Sequence, residues 1–241
     1  MKPLKLSIII PCYNEAKNLP LLIEKLQYFK KINAEVILVD NGSKDNTQEV
    51  LQQELAKPGN EFLTSVKVEK NIGYGFGIMS GVRKATGDVI AWTHADMQTD
   101  PNDIVVGLQH FHETEHPENL FVKGQRINRN AMDEFFTAGM ARISSAALGI
   151  ALHDINAQPK MFHRSFVNRL EHAPDDFSLD LYVLYLAKKT GMHIIEIPVR
   201  FEKRMYGEAK GGGSWKTKMK LIKRTWAYIF QLRDELKSGK R

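Results

Sequence analysis

The sequence predicts an α/β fold with one doubly wound, mostly parallel sheet followed by a C-terminal helix. Three observations lead there. Leu6 to Ile10 and Val36 to Val39 are short, continuous, β-branched runs, the pattern of strands buried on both faces of a parallel sheet. Between such runs, apolar residues recur at helical spacing, so strands and helices alternate. The 241 residues can bury a sizeable core and contain no Ser/Pro linker or internal repeat, which predicts a single domain over 1–241.

Taken in order, the first strand is followed by a helix carrying Leu19, Leu22, Leu26 and Phe29 on one face, with Asn14 expected as its N-cap. A second helix is expected from Asp45-Asn-Thr-Gln48, a capping-box pattern, with Val50, Leu51 and Leu55 turned inward. Strands near Ser65 to Glu69 and Asp88 to Thr93 flank a helix from about Phe76 to Ala85. Asp100-Pro101 reads as the cap and first residue of a further helix. Beyond it the expectation is a strand at Leu120 to Lys123, a long helix at Met132 to Ala151, and a loop Asp154 to Gln158 leading into a strand at Pro159 to Phe162. A helix at Leu179 to Lys188 follows, then a strand at His193 to Phe201 that Pro198 assigns to an edge or bulge. A Gly- and Lys-rich loop, Arg204 to Ser214, precedes the last helix, Trp215 to about Leu236.

Composition narrows the setting. The apolar stretch near the start is too short for a signal peptide, and no run approaches the roughly 20 residues that cross a bilayer. Cys12 is the single cysteine and cannot form an internal disulfide, so a reducing, cytoplasmic compartment is expected. From Phe201 to Arg241 there are twelve Lys/Arg against four Asp/Glu, which puts +8 in the tail and leaves −2 for the first 200 residues. Such a tail suits phosphate-rich partners or is simply a solvated face.

The candidate chemistry lies in loops after strands. Pro11-Cys-Tyr-Asn-Glu15 puts an aromatic ring and a carboxylate after the first strand, and Val39-Asp40-Asn-Gly-Ser43 ends the second in an acid. Each is either a ligand-binding end of an open parallel sheet or a turn and cap. Asn71-Ile-Gly-Tyr-Gly-Phe-Gly77 opens a helix, but Ser80 stands where a dinucleotide fingerprint needs glycine, and no Walker spacing occurs in Gly207 to Ser214. In Trp92-Thr-His-Ala-Asp-Met-Gln-Thr-Asp-Pro101, Asp96 and Gln98 offer hard oxygens to one Mg²⁺ or Mn²⁺ held by a diphosphate.

Together Ile8-Ile-Ile-Pro-Cys-Tyr-Asn-Glu15, Val36-Ile-Leu-Val-Asp-Asn-Gly-Ser43, Asn71-Ile-Gly73, Ala85-Thr-Gly-Asp88 and Ala95-Asp-Met-Gln98 resemble the family 2 glycosyltransferases, and within them the dolichyl-phosphate mannose synthase and polyprenyl-phosphate glycosyltransferase group. The resemblance covers roughly residues 5 to 105. It implies a Rossmann-like GT-A fold, a nucleotide-sugar-binding half at 1–105, an acceptor half at 106–200, and a basic loop with an amphipathic helix at 201–241. It implies further that Pro11, Tyr13, Glu15 and Asp40, with Gly42, Ser43 and Gly73, hold the nucleotide of a UDP- or GDP-linked donor, and that Asp96 holds the metal, with Gln98 beside it. The family loop usually reads Asp-Ala-Asp. Here His94 replaces the first acid, which weakens Mg²⁺ or shifts preference toward Mn²⁺, and His94 either helps hold the nucleotide or stands by.

In the second half, Val122-Lys-Gly-Gln-Arg126 resembles the strand whose arginine faces the acceptor. Asp154 to Phe162 takes the place of an Asp-x-x-Ser-Gly-Phe segment but departs from it at Gln158-Pro-Lys160, where Lys160 either binds acceptor phosphate or flanks a strand. Asp180 is either a base for a sugar hydroxyl or a helix cap. Arg204-Met-Tyr-Gly-Glu-Ala-Lys210 resembles a loop closing over donor and acceptor phosphates, with Arg204 and Lys210 as its charges. The implied reaction is an inverting, metal-dependent transfer to a polyprenyl phosphate, with a saccharide hydroxyl as the alternative acceptor. A non-catalytic nucleotide-sugar-binding module is the other alternative. Trp215, Met219, Ile222, Trp226, Ile229 and Phe230 form one stripe beside Lys216, Lys220, Lys223 and Arg224, so the last helix either lies on an anionic membrane surface or packs on the domain. Nothing resembles a nucleic-acid-binding signature.

Overall fold

Alternate residues of each central strand enter opposite cores. In β1 (Leu6–Cys12), Leu6, Ile8, Ile10 and Cys12 join one apolar cluster and Ile9 the other. In β2 (Glu35–Asn41), Val36 and Leu38 face one way and Ile37 and Val39 the other. This two-sided burial is why both strands read as unbroken apolar runs. The computed structural model describes residues 4–128, 131–202, 204, 206 and 215–238.

Helices α1 (Leu19–Lys31), α2 (Thr47–Leu55) and α4 (Asp103–Glu113) cover the first core. The second lies under α3 (Tyr74–Val82), α5 (Ala131–Leu148), α6 (Leu179–Lys189) and α7 (Trp215–Lys237). With β3 (Leu63–Val68), β4 (Val89–Trp92), β5 (Leu120–Ile127), β6 (Lys160–His163) and β7 (His193–Arg200), the seven-stranded sheet has the order β3-β2-β1-β4-β6-β5-β7. The first four are mutually parallel and β5 is parallel to β7, while β6 runs antiparallel to both neighbours. The start of β6, not its end, therefore lies beside the end of β4, with Lys160 opposite Trp92. β7 is an edge strand, one of the two placements expected from Pro198.

Three expected caps are corrected. Asp100 accepts the Asn102 N–H at 3.0 Å in a turn, and α4 begins at Asp103 after Asn102, not at Pro101. Asn14 has φ +56° and does not cap α1, which begins at Leu19 after Asn18. Asparagine tolerates this left-handed backbone, and its Oδ1 accepts from the Lys44 N–H at 2.8 Å, tying the exit of β1 to that of β2. Before α2, Asp45 accepts from the Thr47 N–H at 3.1 Å instead of forming a capping box with Gln48, so the helix starts two residues later. Gly42, at φ +71°, lets the β2 exit meet the backbone of Asn71, where a Cβ would stand 2.3 Å from its nitrogen.

Candidate donor and acceptor site

The exits of β1, β2 and β4 bring the sequence-predicted acids to one edge of the sheet. Glu15 follows β1, is buried, and is fixed by its own N–H donating to Thr47 Oγ1 at 2.9 Å. Burial raises its carboxyl above the usual range, against lowering by Asn18 and the Arg204 guanidinium. Asp40, at the end of β2, accepts the Ser43 N–H at 3.0 Å, and Ser43 Oγ accepts the Asn14 N–H at 3.0 Å. Asn41 donates to the Gly73 carbonyl at 2.9 Å, and Asn71 to the Asn41 carbonyl at 2.8 Å. Pro11, Tyr13, Asp40, Gly42 and Ser43 thus share one rim, and Gly73 is bonded to it. Gly73 also lies against residues 174–176, where a Cβ would stand 2.2 Å from the Asp175 carbonyl oxygen.

The loop after β4 is closed on itself. Asp96 Oδ1 accepts the Gln98 N–H at 3.1 Å, with Met97 at φ +61°. The chain leaving β7 crosses to this loop: the Glu202 N–H donates to the Gln98 carbonyl at 2.8 Å, and Gln98 Nε2 donates to the Glu202 carbonyl at 3.2 Å. That crossing delivers Arg204, whose Nη2 is 2.8 Å from Asp96 Oδ2 and 3.8 Å from Glu15 Oε1. A cation therefore sits against the expected metal-binding carboxylate. Gln98, expected beside the metal, spends its side-chain amide on the β7 exit. Lys210 and Gly207 lie outside the described residues.

A second, buried cluster links β4, α3, β6 and α6. Asp180 is 3% exposed. Gln158 Nε2 donates to both its oxygens at 3.0 Å, Trp92 Nε1 donates at 3.2 Å, and Lys160 Nζ lies 3.9 Å away. Lys160 is wholly buried, donates to the Ala157 carbonyl, and has its amine lowered by burial to about 8. Gln158 also donates to Tyr74 Oη at 3.1 Å, and Tyr74 Oη is 3.3 Å from His94 Nε2. Tyr74 stacks on Phe177, with centroids 4.9 Å apart. Tyr74, Gln158 and Trp92 carried no role in the sequence reading. The departure at Gln158-Pro-Lys160 was the available signal. Nearby, Arg126 is held by Asp154, with Nε donating at 2.9 Å, and lies over the Phe201 ring at 5.5 Å. Burial opposes ionisation of Asp154, yet the Arg126 hydrogen bonds and charge hold its carboxyl below the usual range.

Do these residues suit a divalent cation? Asp96 and Glu15 already hold a positive group between them, and the His94 Nδ1 atom is buried without a hydrogen-bond partner. Among the described residues no three His, Cys, Asp or Glu side chains form a complete cage. Asp96, with Glu15 close by, suits a cation that takes its remaining ligands from substrate phosphates and water.

Residues 7–178 match the profile described as Glycosyl transferase family 2. The chain belongs to this family. Among relatives of this family 2 chain are undecaprenyl-phosphate 4-deoxy-4-formamido-L-arabinose transferases. That of Sodalis glossinidius (strain morsitans) is 28% identical over 223 residues, covering 87% of this chain and 64% of the relative. That of Enterobacter sp. (strain 638) is 28% identical over 213 residues, covering 86% and 62%. The chain thus spans a little under two thirds of their length. Its fold is that of GT-A glycosyltransferases. Glucosyl-3-phosphoglycerate synthase from Mycobacterium tuberculosis, in complex with Mn²⁺, uridine diphosphate and glucosyl-3-phosphoglycerate, superposes with TM-score 0.72 at 16% identity over 95% of this chain and 80% of that one. The mannosyltransferase PcManGT from Pyrobaculum calidifontis, in complex with GDP-Man and Mn²⁺, gives 0.60 at 22% identity over 83% and 58%.

Proposed function

We propose that this chain transfers a sugar, with inversion, from a UDP- or GDP-linked donor to a polyprenyl phosphate in the presence of Mg²⁺ or Mn²⁺. The observation that carries the acceptor class is the state of Asp180. Both its carboxylate oxygens stand 3.0 Å from the Gln158 amide nitrogen, one also accepts from Trp92, and the residue is nearly inaccessible. A sugar hydroxyl needs a base within hydrogen-bond reach, whereas a phosphate oxygen is anionic at neutral pH and needs none. The naming of the two relatives as undecaprenyl-phosphate transferases supports the same acceptor.

Pro11, Tyr13, Glu15 and Asp40 bind the base and ribose at the β1 and β2 exits, and Asp96 holds the cation. The bound cation neutralises charge on the departing nucleoside diphosphate. Arg204, 22% exposed at its side chain, exchanges Asp96 for phosphate oxygens, and Arg126 helps position the acceptor. The acceptor phosphate oxygen bonds to the anomeric carbon as the donor's diphosphate oxygen leaves from the opposite side.

The last helix supports placement on an anionic membrane surface. Ile229 and Leu232 are buried against the domain, so Ile229 does not belong to the outward stripe, but Met219, Trp226 and Phe230 are each about two-fifths exposed. Lys223 and Arg224 are exposed beside them, and Arg224 pairs with Asp176 at 3.1 Å. No helix among the described residues is long and apolar enough to cross a membrane. Trp215, Lys216, Lys220 and Ile222 have side chains outside the described set.

The test is a screen of UDP- and GDP-sugars with Mg²⁺ or Mn²⁺, with and without polyprenyl phosphate, following nucleotide release and lipid-linked sugar. Sugar on the lipid phosphate is the expected result. Donor turnover that needs a saccharide and ignores the lipid would overturn the acceptor assignment.

A further inference from the structure

We propose that His94 is itself a ligand of the divalent cation, through Nδ1, and that Tyr74, Gln158 and Asp180 are positioning residues that fix its tautomer. This rests on the metal-dependent reading above and deepens it.

The protons shared by Gln158, Tyr74 and His94 fix the tautomer. Gln158 Nε2 has two: it faces both Asp180 oxygens at 3.0 Å and Tyr74 Oη at 3.1 Å, so one goes to the carboxylate and one to the phenol oxygen. Tyr74 Oη therefore accepts from Gln158 and has one proton to give. Asp180 and His94 Nε2 compete for it. A bond to an ionised oxygen is roughly twice as strong as a neutral one, and burial together with the neighbouring Asp180 charge holds the Tyr74 hydroxyl protonated, so that it has a proton to donate. With its proton given to Asp180, Tyr74 can only accept from His94, across the 3.3 Å contact to Nε2. The neutral imidazole then carries its proton on Nε2 and a lone pair on Nδ1.

That Nδ1 is buried and has no hydrogen-bond partner, an arrangement that costs free energy unless something else fills it. It belongs to the same β4 exit loop as Asp96, two residues earlier, and Asp96 already faces a positive group. Metal-bound histidines commonly donate their other ring N–H to an oxygen that fixes orientation, and Tyr74 backed by Asp180 supplies one. A neutral nitrogen in place of a hard acid favours Mn²⁺ over Mg²⁺. It also gives Asp180 work other than proton abstraction.

The test uses the full chain labelled with [¹⁵N]histidine or left at natural abundance, loaded with Mn²⁺ and either UDP or GDP, and read by electron spin-echo modulation. The expected result is nitrogen modulation on bound Mn²⁺ that changes from ¹⁴N to ¹⁵N with the label and disappears in His94→Asp. Tyr74→Phe keeps the ring but loses the hydroxyl. It should weaken Mn²⁺ binding by about 10–100-fold while leaving nucleotide binding in EDTA unchanged. Mn²⁺ bound without histidine modulation overturns the proposal and leaves metal-dependent transfer standing, and no Mn²⁺ binding with either nucleotide overturns both. Unaltered Mn²⁺ affinity in Tyr74→Phe removes the positioning role.

Discussion

Lys160→Met separates a structural lysine from one that binds substrate, and its size can be worked from the burial. The wild-type amine is wholly enclosed, 3.9 Å from Asp180, and its pKa is lowered from 10.5 to about 8. Below pH 8 both folded and unfolded chains carry the proton. Between 8 and 10.5 the unfolded chain binds it and the folded chain does not, so stability rises with pH in that window. At 1.36 kcal/mol per unit, the Lys160 contribution between pH 7 and pH 10 comes to about 2.5 kcal/mol in favour of the folded state. Methionine has nothing to titrate. Urea unfolding of both proteins at pH 7, 8, 9 and 10 should show wild type gaining about 2.5 kcal/mol on the variant across the series, other titrations cancelling in the difference. A difference that stays constant to within about 0.5 kcal/mol would refute the burial argument. A many-fold rise in KM for lipid phosphate with no such pH dependence would make Lys160 an acceptor-binding residue.

Asp96→Ala should lower transfer by at least about 10²-fold while leaving the melting temperature near that of wild type, and full activity would remove Asp96 from the metal site. Gly73→Ala would drive a Cβ to 2.2 Å from the Asp175 carbonyl oxygen, so thermal or urea unfolding should show a loss of about 1–3 kcal/mol. Replacing both Trp226 and Phe230 by Ser should reduce co-sedimentation with anionic vesicles several-fold and leave nucleotide affinity unchanged, because both rings are about two-fifths exposed. Unchanged sedimentation would return α7 to a purely packing role.

The first half of the fold was legible because burial on both faces writes a strand as an unbroken apolar run, as in β1 and β2. The direction of β6 was not, since Met161 and Phe162 would be equally apolar in a parallel strand. Asn14 and Asp45 were misplaced as caps because the same side chains serve turns and helix starts. The polar end of β5, Gly124 to Ile127, extends beyond the expected strand because its ladder is completed by β7, about seventy residues further on. Glu15, Asp40 and Asp96 could be brought to one end of the sheet from their positions after strands. The Asp180 cluster could not, because Gln158 is 84 residues from Tyr74 and 22 from Asp180, and no local pattern encodes those bonds. Lys123 and Lys160 defied the rule that lysines stay outside for the same reason, since Glu196 and Asp180 balance them from distant segments.

The guanidinium resting on Asp96 changes how loading of this site should be counted. A divalent ion that takes that carboxylate does not add charge to a bare anionic pocket but swaps places with a cation supplied by the chain. Loading is then an ion-exchange step, and the displaced arginine becomes available to the phosphates that arrive with the metal.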